Sequence, residues 1–207
     1  MARSKSSSRW LSRQSSDPYV ALAKSEGYRS RAVYKLQEID NKYQIFQPHQ
    51  FIVDLGAAPG AWSQYVIERV RGSQGKVVAL DVLEMEPIEG VCIIQGDFTD
   101  DETLDDLVAA LNNHSVDLVL SDIAPNISGN KAVDQPRSMY LAELALEFAK
   151  HHLTTGGGFA VKLFQGEGYA QYIQQLKNSF KRVSTFKPQA SRKQSREMYA
   201  VAREFGL

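Results

Sequence analysis

Phe51-Ile-Val-Asp-Leu-Gly-Ala-Ala-Pro-Gly-Ala-Trp-Ser63 decides how this chain folds. A short apolar run carrying one acid, Phe51–Leu55, stops at Gly56, and a helical pattern follows from Ala61 to Val70. A strand that stops at glycine lets backbone pass close to a ligand with no Cβ in the way. Gly56, Ala57 and Ala58 are all small, and Pro59-Gly60 turns the chain into the helix. The spacing is not the dinucleotide fingerprint G-x-G-x-x-G. Nor is it a phosphate loop, because no Lys-Ser/Thr follows the second glycine.

Outward from this turn the chain alternates strand and helix. Strands are expected at Phe51–Leu55, Val77–Asp81, Val91–Gln95, Val116–Ser121 and Gly158–Leu163. Helices are expected at Ala61–Val70, Glu102–Leu111, Pro136–His152 and Tyr169–Phe180. Short apolar runs joined by helical crossovers predict an α/β fold with a parallel, doubly wound sheet and helices on both faces. Arg182–Phe186 and Met198–Val201, joined by a polar loop containing Pro188, predict a hairpin at the end. Upstream, Ser30–Asp40 reads as a helix with Ala32 or Val33, Leu36 and Ile39 on one stripe, and Lys35 off it. Residues 1–16 are low in complexity and predict a flexible basic arm. Residues 17–207 then form a single domain.

The 207 residues suffice for one substantial core. A lone cysteine excludes an intrachain disulfide and a cysteine zinc site, and Cys92, inside Val91-Cys-Ile-Ile94, is expected to be buried. The four histidines show no ligand spacing, so no metal is expected. No apolar stretch reaches bilayer length, and the basic N-terminus lacks the apolar segment of a secretory signal. An organellar transit peptide shares its Ser/Arg-rich look but would need a sustained amphipathic face. The expectation is a cytoplasmic monomer.

Zero net charge conceals an uneven distribution. Residues 1–35 balance to +6 and residues 177–207 to +6, while residues 36–176 balance to −12. If the two basic ends meet, they form a cationic face that attracts phosphate backbones. Within the acidic middle, Asp81, Asp97 and Asp122 close three consecutive strands, where ligands of open α/β sheets bind. Each acid alone could be an ordinary helix cap. Together they suit S-adenosylmethionine, with its sulfonium and free amine, and would repel a pyrophosphate cofactor.

The D-L-G-x-x-P-G-x-W-S form resembles the first motif of S-adenosylmethionine-dependent methyltransferases, in particular the FtsJ-like family of RNA ribose 2′-O-methyltransferases. The match runs from about Ser16 to the C-terminus. The resemblance implies a Rossmann-like sheet, mostly parallel with an antiparallel last strand. It implies S-adenosylmethionine bound by Gly56, Pro59, Gly60, Trp62, Asp81, Asp97, Phe98 and Asp122, with Asp97-Phe98 at the adenine. It also implies a Lys-Asp-Lys-Glu catalytic tetrad of Lys35, Asp122, Lys162 and Glu197, each in the family's local context. Trp10-Leu-Ser-Arg, Asp17-Pro-Tyr and the compact length look most like bacterial members acting on a uridine ribose in large-subunit (23S) ribosomal RNA. The large ribosomal subunit is then the expected partner.

A ribose 2′-hydroxyl is a weak acid that must shed its proton as it attacks the sulfonium methyl. A positioned base, or a cation near the developing alkoxide, lowers that barrier. Lys162 lies within the apolar strand Gly158-Phe-Ala-Val-Lys-Leu-Phe164, where an unpaired ammonium would be costly. Two roles stay open at this point: Lys162 accepts the proton, or it orients the hydroxyl while a carboxylate or water accepts it. Three rivals differ in class. A nucleotide-dependent oxidoreductase would want a glycine-rich pyrophosphate turn. A non-catalytic RNA-binding assembly factor would lack Lys162 or the glycine loop. A methyltransferase acting on transfer RNA or a cap ribose would share all of these residues.

Overall fold

The computed structural model describes residues 17–70 and 75–207, so the expected basic arm lies outside the described residues. In chain order the elements are α1 (Pro18–Glu26), α2 (Val33–Tyr43), β1 (Phe51–Leu55), α3 (Ala61–Val70), β2 (Lys76–Asp81) and β3 (Val91–Gln95). There follow α4 (Asp101–Leu111), β4 (Val116–Ser121), α5 (Lys131–His152), β5 (Leu153–Phe164), α6 (Tyr169–Ser179), β6 (Phe180–Phe186) and β7 (Glu197–Phe205). They build one seven-stranded sheet of order β3-β2-β1-β4-β5-β7-β6. β1 to β5 run parallel, and β7 inserts antiparallel between β5 and β6.

Side-chain alternation along β1 divides the core. Phe51, Val53 and Leu55 face a layer that includes Leu107 of α4, Leu146 of α5 and Tyr172 and Leu176 of α6. Ile52 faces the other layer, with Leu36 and Ile39 of α2 and Trp62, Tyr65 and Val66 of α3. The expected stripe on α2 is real, since Val33, Leu36 and Ile39 are all fully buried. The helix starts three residues later than expected, because Ser30 forms a turn in which its Oγ accepts from Ala32 N at 3.2 Å.

Three further expectations are corrected, and one helix, α1, was not expected. Cys92 is exposed, because β3 is the edge strand and lacks the two-sided cover of β1 and β4. α1 was foreseen only as the start of order. Asp17 caps it, accepting from Tyr19 N at 3.1 Å, and Pro18 takes its first turn, but only Ala23 is buried, so no apolar stripe announces it. α5 begins five residues before Pro136, capped by Asn130, and carries that proline within its second turn. β5 begins at Leu153, with a bulge where its pairing to β4 skips from Leu153 to Gly158. Among the described residues, no helix is long and apolar enough to cross a membrane.

Candidate active site

The strand order reverses between β1 and β4, which places a crevice beyond their carboxyl ends. Gly56 leaves β1 at φ +75°, and a Cβ there would lie 2.7 Å from the Ile123 backbone just past β4. Only glycine allows the two strand ends to approach this closely. The turn is fixed to β2 by Gly56 N and Ala57 N, which both donate to Leu80 O. Gly60, at φ +102°, immediately precedes α3.

The acids lie around this crevice. Asp81 Oδ2 accepts from Ala58 N at 2.9 Å and Oδ1 from Leu83 N at 2.9 Å, so the carboxylate is aimed by the cofactor-type loop itself. Asp97 is exposed, and Oδ1 accepts from both the backbone N–H and the hydroxyl of Thr99. Those bonds hold its carboxyl below the usual range. Two further expected residues have buried rings. Trp62 is 2% exposed; its indole N–H donates to Ala32 O at 2.8 Å and its ring lies 5.8 Å from that of Tyr199. Phe98 packs in the core against Phe148. Both rings are buried packing groups.

Beside the crevice, β5 and β7 bring the four tetrad residues together. Their antiparallel register sets Lys162 opposite Tyr199 and Phe164 opposite Glu197. Lys162 Nζ lies 3.0 Å from Asp122 Oδ1 and also donates to the Asp122 carbonyl. Lys35 Nζ reaches in from α2 to Glu197 Oε1 at 2.8 Å. Tyr199, fully buried, links the two pairs: its hydroxyl donates to Asp122 Oδ1 at 2.7 Å and accepts from Lys35 Nζ at 3.3 Å. Burial pushes the Asp122 carboxyl up, but the ammoniums of Lys162 and Lys35 and the Tyr199 hydroxyl outweigh it and hold the group below the usual range. Burial, with the carboxylates of Asp122 and Glu197, pushes the Tyr199 phenol well up, so it stays a donor.

Tyr199 was missed in the sequence, although a strand carrying Glu197 inward must turn the residue two places on to the same face. Asp54 was missed as well. It is fully buried on β1, Ser63 Oγ donates to its Oδ2 at 2.6 Å, and its Oδ1 has no hydrogen-bond partner among the described residues.

The sheet order, glycine turn, acidic strand ends and buried lysine are those of a Rossmann-like S-adenosylmethionine-dependent methyltransferase. The model of the FtsJ-like methyltransferase family matches residues 28–205, and the chain belongs to that family. It is 52% identical to a Francisella tularensis subsp. novicida protein named ribosomal RNA large subunit methyltransferase E, over 99% of both chains. A Pseudomonas aeruginosa protein of the same name is 54% identical over 99% of both. Among solved structures, one described as a ribosomal RNA methyltransferase from Plasmodium falciparum superposes with TM-score 0.78 at 34% identity, covering 86% of this chain and 98% of its own. A Streptococcus mutans protein solved with S-adenosylhomocysteine shares the fold at TM-score 0.53 and 14% identity, covering 84% and 96%.

Proposed function

We propose that the protein transfers a methyl group from S-adenosylmethionine to the 2′-hydroxyl of a uridine in large-subunit (23S) ribosomal RNA, acting on the assembled subunit. The single observation that carries the chemistry is the Lys162–Asp122–Tyr199–Lys35–Glu197 network beside a crevice ringed by carboxylates. The names of the full-length relatives favour ribosomal over transfer RNA or cap ribose.

The residues present suit the cofactor. Three carboxylates at strand ends match a cation that also carries ribose hydroxyls, and the turn at Gly56 admits backbone contact. On this reading Asp81 holds the ribose, Asp97 the adenine amine and Asp122 the cationic end, with Gly56, Pro59, Gly60 and the backbones of Trp62 and Phe98 shaping the cleft. No metal is required. The bound cofactor supplies an electrophilic methyl on sulfur. Lys162 faces the ribose hydroxyl; its ammonium first releases one proton to solvent, and the resulting neutral amine accepts the hydroxyl proton at Nζ as the oxygen attacks the methyl. Asp122 orients Nζ through two contacts, while Tyr199 keeps Lys35–Glu197 in line with that pair.

Cationic groups frame the approach of RNA. Lys187, Arg192, Lys193 and Arg196 are exposed on the β6–β7 loop. That loop is tied to the N-terminal region by Glu38, which accepts from Gln189 N and Ala190 N, and by Arg31, which donates to Ala190 O. Among the described residues, Arg31 therefore lies against this loop and Lys35 against Glu197. We take the protein to work as a cytoplasmic monomer, with residues 1–16 as a phosphate-following arm.

Lys162→Ala tests the assignment. Cofactor affinity should persist while single-turnover methyl transfer falls by about a hundredfold or more, the range lost with a positioned acid–base group. Transfer at the parental rate by a folded variant would remove Lys162 from the chemistry.

A further inference from the structure

Arg29 stands outside the tetrad and the acids, yet it joins three separate segments around the cleft. It follows Gly27, the left-handed cap of α1. Its backbone N–H donates to Gln64 Oε1 on α3 at 2.9 Å, and Gln64 Nε2 returns a bond to Gly27 O at 3.3 Å. The guanidinium then crosses the mouth of the glycine turn. Nη1 donates to Pro59 O at 3.1 Å and Glu86 O at 2.6 Å, and Nη2 to Pro87 O at 2.8 Å. Pro59 belongs to the turn that enters α3, and Glu86 and Pro87 follow Asp81 by five and six residues.

Three converging carbonyls concentrate negative dipole ends, and a planar fork of five N–H donors satisfies them in a way that a point-charge ammonium cannot. The contact is close. A Cβ on Gly60 would stand 3.0 Å from Arg29 Nη1 and 2.8 Å from Ile88 Cδ1, so the turn is packed directly on this side chain. We infer that Arg29 is a positioning residue for the cofactor, a clamp that holds the Pro59-Gly60 turn against the segment after Asp81 and keeps the cleft formed. This rests on the S-adenosylmethionine site proposed above. It sets Arg29 apart from the exposed cations of the β6–β7 loop, because three of its donors are spent within the protein.

The test uses the full-length protein with Arg29→Ala, Arg29→Lys and Asp81→Ala. Calorimetry reads S-adenosylmethionine affinity, filter binding reads affinity for a large-subunit ribosomal RNA transcript, and melting curves report folding. Loss of several charge-assisted bonds from a binding loop predicts a Kd for S-adenosylmethionine raised about tenfold to a hundredfold in Arg29→Ala. Arg29→Lys should fall between, and it carries the test if the alanine protein does not fold. KM for the cofactor should rise more than kcat falls, and RNA affinity should stay within about twofold of the parent. Unchanged cofactor affinity with weakened RNA binding would make Arg29 a phosphate contact and overturn the clamp. Parallel loss of both affinities with a lowered melting temperature would make it general scaffolding, and also overturns it. Asp81→Ala separates the two readings. If it binds S-adenosylmethionine normally, the cofactor pocket itself is misplaced; if it binds weakly while both Arg29 variants bind normally, the clamp alone fails.

Discussion

Asp54→Asn should stabilise the protein by an amount that grows from pH 5 to pH 8, and should leave it nearly unchanged only at or below about pH 3.8. Asp54 is fully buried, with one hydrogen bond from Ser63. Burial pushes its carboxyl from 3.8 up to about 7; the nearby Asp122 and Asp81 carboxylates add to this, against the bond from Ser63. The sign follows from the proton balance. Between pH 3.8 and 7 the folded protein keeps a proton that the unfolded chain has released. The folded state therefore binds more protons, and stability falls as pH rises through this window, then levels off above it.

From pH 5 to pH 8 about two pH units of this imbalance are crossed, which amounts to roughly 2–3 kcal/mol. Asparagine keeps an oxygen for Ser63 Oγ and does not titrate. Denaturant unfolding of both proteins at half-unit steps would give a stability difference that grows with pH and flattens above about pH 7. Other groups, including His152, whose pKa burial lowers, titrate in both proteins and cancel in the difference. A difference independent of pH would show that Asp54 is ionised throughout, and the burial argument would be wrong.

Gly56→Ala should cost about 1–3 kcal/mol of stability together with cofactor affinity, since its Cβ meets the Ile123 backbone at 2.7 Å and φ is +75°. Parental melting and binding would show that the two strand ends part freely. Deleting residues 1–16, which carry four basic residues and no acid, should weaken RNA binding and flatten its salt dependence while S-adenosylmethionine affinity stays put. An equal salt slope in the two proteins would dismiss the arm as a phosphate contact.

What could be read from the chain depended on how local the signal was. β1, α3, β3 and β4 have the expected bounds because apolar runs and the glycine turn act within a few residues. Cys92 was misjudged because an apolar run does not say which strand lies at the sheet edge; only the strand order does. The packing of the Trp62 and Phe98 rings was illegible for a related reason. A residue beside a binding motif can turn its ring into the core and leave the backbone to the ligand, and nothing in its neighbours' identity distinguishes the two.

The tetrad shows the sharpest limit. All four members were identifiable one by one, yet which acid serves which lysine depends on a contact between residues far apart in the chain. The β5–β7 register sets Lys162 against Tyr199, so Asp122 claims Lys162 while Glu197 is left to Lys35. The Lys-Asp-Lys-Glu set implied by the resemblance does not say which acid meets which lysine. Among the described residues, the two ion pairs are separate and are bridged by the Tyr199 hydroxyl, which donates to one and accepts from the other. Lys35 and Glu197 therefore meet the Lys162–Asp122 pair through Tyr199, and on the proposed chemistry they act as positioning residues. A period-two reading of Glu197-Met-Tyr199 would have placed the phenol there, but only the register shows that it joins the two pairs.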